Sequence, residues 1–423
     1  PLGILLRGDG VARLFVLGAA LCAALVGLHA LHEFSPRGGG LSARNRGFWP
    51  LFYLLWAGAN AGFLTTDLFN LYVALEMVSL AGVGLSALGS LQAALRYFLI
   101  ALMGSLAYLL GVALLFANYG TVDVTLLART VEADAATVLA LAVMTGGLLV
   151  KSALFPLHGW LPPAHAAAPA PASALLSAIV VKLGFVILMR LWFEAFATLA
   201  VPVAVGLLGA LGAAGVIYGS VQAMRQRQLK ALVAYSTVAQ VGYLFVAFPL
   251  AAAGDPSAAW SGMTLHAVAH MLAKSAMFLA AGLMLKAVHG RDIDDLAGLA
   301  RVMPATVTAF ALAAVSLMGL PPSGGFAAKF MLLDAALAQG AFFYAAVLLG
   351  GGLMAAVYLF RAIAVAFSGA HSPAIEVPAP FAAAAPLALA LCAIALGFFG
   401  VGFADLAAIA APWAQTDAIG AAP

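Results

Sequence analysis

Seven side chains carry the chemistry open to this chain: Glu76, Lys151, Lys182, His266, His270, Lys274 and Lys329. Only six lysines occur in 423 residues, and four of them, Lys151, Lys182, Lys274 and Lys329, fall inside apolar runs. A lysine facing the lipid centre costs about 2.5–3.5 kcal/mol or more, so each should face protein or water. Snorkelling from a helix end accounts for Lys230 and Lys286. It does not account for Lys182 and Lys274, which lie more than ~15 Å along their helices at a rise of about 1.5 Å per residue. Lys151 and Lys329 stand beside interruptions, KSALFPLHGWLP and SLMGLPPSGGFAAKF. Proline ends a helix by removing a donor and clashing with the preceding turn. At membrane depth such a break is tolerated only where it is buried or lines a wet cavity. The plainer role for these two lysines is to cap the carbonyls that the break leaves free.

Glu76 is the one acid centred in a span, nine residues after Asp67 and so roughly 13 Å deeper along a helix. A buried acid and a buried lysine can hold each other charged, as a structural ion pair, or pass a proton by shifting each other's affinity for it. Residues 266, 270 and 274 are spaced i, i+4, i+8, which makes His266, His270 and Lys274 one polar stripe. Histidine titrates near neutrality and suits a proton relay. Hydrogen-bonded helix packing is the plainer alternative, and a metal site the weaker one, because no third ligand is evident. His158 and His165 flank the first break and either line a water path or cap a loop. Asp67 and Asp334 sit nearer membrane ends, as caps or gates.

These groups need apolar elements to hold them. The chain is 65% hydrophobic and 8% charged, with a mean hydropathy of +1.09. That composition predicts an all-α polytopic membrane protein. Apolar runs of ~20 residues place spans near 11–33, 47–65, 67–88, 94–118, 136–155, 169–192, 200–222, 229–249, 258–288, 303–336, 341–367 and 380–403, twelve in all. The run 303–336 is too long for one straight crossing and is expected to be broken at GLPPSGG. Cys22 and Cys392 lie far apart in apolar runs and support neither a disulfide framework nor a metal or iron–sulfur site. No glycine-rich phosphate loop follows a strand, so no nucleotide site, cofactor or nucleic-acid partner is expected. No signal peptide is seen. The chain starts at Pro1 rather than Met, and its beginning reads as a fragment.

The charges orient the spans. The side that holds residues 34–46, here called X, carries Arg37, Arg44, Arg46, Arg96, Arg225, Arg227, Lys230, Lys286, Arg291, Arg301 and Arg361. The opposite side, Y, carries Arg7, Arg13, Arg129 and Arg190. The bias makes X cytoplasmic and puts both ends of the chain on the non-cytoplasmic side. The two broken elements run in opposite directions, one shifted from the other by five spans. Paired broken helices in inverted halves mark conduction or binding sites in transporters. The expected organisation is a flanking helix and loop at 1–46, inverted five-helix repeats at 47–192 and 200–367, and a flanking helix at 368–423, with Lys151 and Lys329 as counterparts.

The stretches DLFNLYVALEMVSL, PLHGWLPPAHAAAPAPASALLSAIVVKLG, HAVAHMLAKSAMFLAAG and GLPPSGGFAAKF resemble the antiporter-like membrane subunits of respiratory complex I, of membrane-bound hydrogenases and of Mrp-type cation/proton antiporters. The likeness covers nearly the whole chain. Members are usually built on fourteen helices, which implies two more before residue 1. By motif, Glu76 resembles the family's fifth-helix glutamate and Lys151 its partner on the broken seventh helix. Lys182 resembles the eighth-helix lysine that links two half-channels. His266, His270 and Lys274 resemble the eleventh-helix stripe, and Lys329 the lysine of the broken twelfth helix, where some complex I members carry an acid. DLFNLYV leans towards the Mrp and hydrogenase branch, PLHGWLP towards complex I and hydrogenase. The resemblance implies a proton-translocating subunit of a multi-subunit complex in a bacterial or archaeal plasma membrane, with other membrane subunits and the bilayer as its partners. With no redox or nucleotide site of its own, the chain would be driven by a partner or an opposing gradient. Two alternatives stay open: Na⁺/H⁺ exchange within an Mrp-type complex, and a quinone-binding or scaffold subunit without its own ion path.

Overall fold

A computed structural model describes residues 5–34, 43–199, 201–369, 376, 378–409 and 411. Arg37 and most of the expected loop around it lie outside the described residues, as does much of the stretch after 369. Short polar residues set the helix starts, because their side chains accept from N–H groups that have no partner in the first turn. Asp9 starts α1 (Gly10–Glu33) by accepting from the Ala12 N–H at 2.8 Å. After α2 (Ala43–Leu64), Asp67 caps α3 (Leu68–Ala87) and Ser90 caps α4 (Leu91–Tyr119). The short α5 (Val124–Thr130) follows, and Asp134 then starts α6 (Ala135–Lys151).

The first break separates α6 from α7 (Leu161–Ala167). Helix α6 has 17 residues. At ~1.5 Å each it is too short to cross a core about 30 Å thick. The expected span 136–155 therefore stops at Lys151, and α7 continues the crossing after a turn. Helix α8 (Ala170–Leu175) passes through a π turn, Leu176–Val180, into α9 (Val181–Arg190) and a second π turn, Leu191–Ala195.

The second half repeats the order: α10 (Pro202–Arg225), α11 (Leu229–Ala251), α12 (Ser257–Ala287), the four-residue α13 (Leu299–Val302), then α14 (Pro304–Met318) and α15 (Gly324–Ala338) across the second break, and α16 (Phe342–Phe367). Helices α17 (Ala384–Ala395) and α18 (Gly400–Ala408), joined by a 3₁₀ turn, close the described chain. In each half the broken helix is fourth of five. Helix α6 begins where α4 ends, on side Y; α14 begins where α12 ends, on side X, so the two broken helices run oppositely.

Among the described residues nine helices are long and apolar enough to cross a membrane, with α6 and α14 as shorter apolar helices. The protein is a multi-pass membrane protein. Every residue in the most apolar window of Ala170–Ala195 is buried, and most of α11 and α12 are too, whereas α4, α16 and α17–α18 present outer faces. Helix α12 is the central post: it packs on α1, α8, α11, α14, α15, α17 and α18. A helix buried all round that still carries two histidines and a lysine must satisfy them inside the bundle.

Candidate functional site

A row of buried ionisable groups

Lys151 is the last residue of α6, and its ammonium crosses to α3. It donates to Ser79 Oγ at 2.7 Å and to Glu76 Oε1 at 3.4 Å. Glu76 and Ser79 are spaced i, i+3 and share one face of α3. The lysine side chain is 4% exposed and the glutamate 21%, so the acid sits at the rim and the base inside. Gly184 lets α9 approach this break: a Cβ there would meet Ser152 Oγ at 2.8 Å and Lys151 Cβ at 3.1 Å. The carbonyl of Val150, which takes the Ala153 N–H at 3.1 Å, also accepts from Trp160 Nε1 at 2.8 Å.

Lys182 is wholly buried and points into the protein, as its interior placement required. Its Nζ contacts His270 Nδ1 on α12 and donates to the carbonyl of Ser177 at 3.1 Å. The side chains at i±3 and i±4, Ala178, Ile179, Phe185 and Val186, offer nothing polar. Instead the π turn Leu176–Val180 disturbs the regular backbone ladder and presents a carbonyl five residues back on the same helix. Lys274, one turn beyond His270, donates to the Val233 carbonyl at 2.8 Å and to Ser236 Oγ.

His266 Nε2 donates to the Gln240 carbonyl at 3.2 Å, and its ring lies 6.3 Å from that of His270 and 5.5 Å from Tyr243. Lys329 Nζ lies 4.3 Å from the centre of the same Tyr243 ring, a cation–π distance. The carbonyl of Leu317 joins the pieces: it accepts from Lys329 Nζ at 2.9 Å and from Gln240 Nε2 at 3.0 Å. Lys329 also donates to the Met318 carbonyl at 3.3 Å.

Lys151 and Lys329 stand on opposite sides of their breaks. Lys151 closes the half-helix before its break; Lys329 lies after its break, on α15, and reaches back to the last carbonyls of α14. Both charges are thus placed by the C-terminal end of the first half-helix, where the backbone dipole favours a cation. Gly319 permits the second arrangement. Its φ is +82°, and a Cβ there would meet Lys329 Cδ at 2.7 Å. Either condition alone favours glycine.

The remaining candidates scatter. Asp67 is the N-cap of α3, accepting from Asn70 N–H at 2.7 Å. Asp334 lies exposed on α15. His158 is buried in the first break against Phe155 and Tyr218. His165 is fully buried on α7 and stacks on Phe278 of α12 at 4.9 Å.

Groups that the sequence reading missed

Ser236, Gln240 and Tyr243 supply partners to the row from α11. Their i, i+4, i+7 spacing is the same signal that picked out the histidine stripe, but uncharged residues drew less notice. A second omission is a buried ionic cluster on side Y. Arg190 grips Asp9 with two bonds, 2.8 and 3.1 Å, and reaches Glu194 Oε1 at 3.2 Å and the Phe63 carbonyl at 3.3 Å. Arg7 completes the ring through Asp9 at 2.8 Å and through Glu194. Burial pushes the Asp9 carboxyl up, but Arg190 and Arg7, with the Ala12 N–H, hold it below its ordinary value. The i, i+4 pair Arg190–Glu194 was legible; the link to Asp9, 181 positions earlier, was not.

Similar proteins

Residues 65–355 match the family described as NADH:quinone oxidoreductase/Mrp antiporter, transmembrane. Subunit N of the NADH-quinone oxidoreductase of Desulforudis audaxviator is 40% identical over 375 residues, 87% of this chain and 73% of that protein. An Na⁺/H⁺ antiporter subunit of Bacillus subtilis is 30% identical over 388 residues, 90% of this chain and 76% of that protein. Among solved structures, a chain of the archaeal membrane-bound sulfane sulfur reductase aligns with a TM-score of 0.85 at 29% identity, covering 96% of this chain and 82% of that one. A chain of the Mrp complex from a Dietzia species aligns at 0.83 and 25% identity, over 95% of this chain and 82% of that one. With its buried lysines, its two broken helices and a family match across more than half its length, the chain belongs to the transmembrane NADH:quinone oxidoreductase/Mrp antiporter family.

Proposed function

We propose that this chain is a proton-translocating membrane subunit of a larger complex, and that Glu76, Lys151, Lys182, His266, His270, Lys274 and Lys329 form its path. One observation carries the reading: Lys182, buried at the junction of the two halves, contacts His270. A bond between an amine and an imidazole exists in two proton positions, ammonium with imidazole and amine with imidazolium. Several lysines in one dry row cannot all be charged, so at least one is neutral at rest. That leaves a vacancy into which a proton can move. Charge changes at Glu76–Lys151 would bias Lys182, and Lys182 would bias His270, His266 and Lys329, because close buried charges couple strongly. The redox and antiport complexes of its relatives support other membrane subunits as its partners.

In this reading the halves act as inverted units, 47–192 and 200–367, flanked by 1–46 and 368–423. Side X is cytoplasmic, from the bias of basic residues. The test is proton flux in vesicles that hold the assembled complex: Lys182→Ala removes flux while the complex still assembles. Undiminished flux in that variant would refute the central relay. The likeness to Na⁺/H⁺ antiporter subunits favours one second reading, exchange of Na⁺ against protons. Flux that requires Na⁺ on the opposite side selects it; flux indifferent to Na⁺ rejects it.

A further inference from the structure

Lys230 was expected to snorkel from the start of α11 into water. It instead turns inward: it is half-buried, and its Nζ donates to the carbonyl of Ala168, between α7 and α8. An ammonium has three N–H donors, so this bond leaves others for a ligand. Lys230 lines a cavity of about 350 Å³ at the X-side ends of α1, α8, α11 and α12. The other ionisable groups on its walls are Lys286 of α12, His29, His32 and Glu33 of α1, and Glu376.

The walls thus carry both signs, two lysines against two carboxylates. Glu33 lies 3.7 Å from His29 Nε2, and Glu376 lies 3.4 Å from the exposed His289. His29 is only 4% exposed, and its Nδ1 has no hydrogen-bond partner among the described residues. A buried polar nitrogen left unpaired costs free energy, and a ligand atom in the cavity would satisfy it.

A second cavity, of about 400 Å³, shares His29 and His32 with the first and runs between α1 and α17. Its remaining walls are apolar and include Leu28, Leu31, Phe381 and Ala384. The rings of His32 and Phe381 meet edge to face, 4.8 Å between centres. Leu28, Leu31 and Phe381 are more than half exposed. Leu28 lies five residues before the end of α1, about 7 Å along the helix. The apolar groove therefore sits at acyl-chain depth, directly under the polar cavity.

We infer that the two cavities together hold one phospholipid with an amine-bearing zwitterionic headgroup, a phosphatidylethanolamine. Lys230 and Lys286 take its phosphate, as basic pockets between membrane helices on this side take lipid phosphates. Its ammonium donates to the carboxylates of Glu33 and Glu376, in charge-assisted bonds. One acyl chain lies in the groove against Leu28, Leu31 and Phe381. Walls that balance two cations with two carboxylates suit a headgroup of both signs better than an anion. A trimethylammonium headgroup has no N–H to give the carboxylates. The seated lipid ties the flanking helices α1 and α17 to the central post α12. None of these residues belongs to the proposed proton path, so the site stands or falls independently of it.

The test is a lipid titration of the detergent-solubilised complex, read by native mass spectrometry. The parent is expected to bind phosphatidylethanolamine at least tenfold more tightly than phosphatidylcholine or phosphatidylglycerol. Lys286→Gln removes one phosphate partner, and Ala384→Trp fills the groove; each is expected to weaken phosphatidylethanolamine binding threefold or more. Both positions are exposed, so the variants are expected to assemble. Glycerophosphoethanolamine, which has the headgroup without the chains, is expected not to compete. Equal affinity for the three lipids, or a preference for phosphatidylglycerol, overturns the headgroup assignment. Unchanged binding in both variants overturns the site. Competition by glycerophosphoethanolamine at matched concentration overturns the role of the groove. A parent complex that takes up no lipid, as when a neighbouring subunit covers the groove, overturns the proposal outright.

Discussion

Lys182 on α9 and His270 on α12 meet nitrogen to nitrogen, with the ammonium also held by the Ser177 carbonyl of its own helix. The pair lies where the first five-helix unit touches the second. It is fully buried, so its proton inventory can change only through neighbouring groups. Removing a proton relay costs on the order of 10²–10⁴ in rate. Lys182→Ala is therefore expected to lower proton flux by about two orders of magnitude or more, with assembly intact. Lys182→Arg is expected to be equally inactive, because a guanidinium stays charged. Flux assays with native gels on the same preparations check both, and near-normal flux in Lys182→Arg would show that this position need not lose its proton.

Glu76 and Lys151 are the ion pair of the first half, at 3.4 Å with the acid partly exposed. Glu76→Gln keeps the shape and removes the charge. The expected outcome is a fall in flux much larger than any fall in assembly. Ser79→Ala removes the shorter bond, 2.7 Å to Lys151, while leaving the ion pair. Its effect on flux should be smaller, with about 1.5–3 kcal/mol of stability lost for one hydrogen bond from a charged group. Equal losses of flux in both variants would mean that the acid has no special role.

Gly319 and Lys329 are interdependent. Gly319→Ala introduces both a strained φ and a Cβ against Lys329 Cδ. Such a left-handed position alone costs roughly 1–2 kcal/mol in an ordinary residue. The variant should melt lower and lose flux together, because Lys329 is pushed from the α14 carbonyls. Lys329→Met in the same background should recover part of the thermal stability and none of the flux. A Gly319→Ala protein with unaltered melting contradicts the account of the second break.

Arg190 lies on α9 about two turns beyond Lys182, and the bonds of the Asp9–Arg190 pair go to Arg7, Glu194 and the Phe63 carbonyl. Deleting one partner of a buried pair costs about 3–5 kcal/mol; Arg190→Ala is expected to destabilise by that order in detergent. The pH sign follows from Asp9. Its folded-state pKa is lowered, so its contribution is present above the unfolded value of about 3.9 and is lost as pH falls through the folded one. Thermal unfolding at pH 7 and near pH 3 should therefore differ more in the parent chain than in Asp9→Asn. An equal difference in both would remove Asp9 from the acid response.

Much of this protein was present in one dimension. Apolar runs of membrane length gave the helices, because a segment in lipid must satisfy its own backbone. The prolines and glycines at 156 and 319–325 gave the two breaks, since their backbone chemistry is local. Lysines inside apolar runs marked the interior, because lipid would not hold them. Helix spacing put His266, His270 and Lys274 on one face. What stayed hidden was pairing across distance. Nothing local says that Lys182 meets His270, 88 positions later, or that Arg190 grips Asp9. Nor does it say that Lys329 turns back to α14 rather than forward, or that Lys230 turns inward to Ala168. The π turn behind Lys182 has no signature in a run of ordinary helix formers. Which carbonyl, ring or hydroxyl stands opposite a buried charge depends on how helices far apart in sequence pack, and only the tertiary structure decides that.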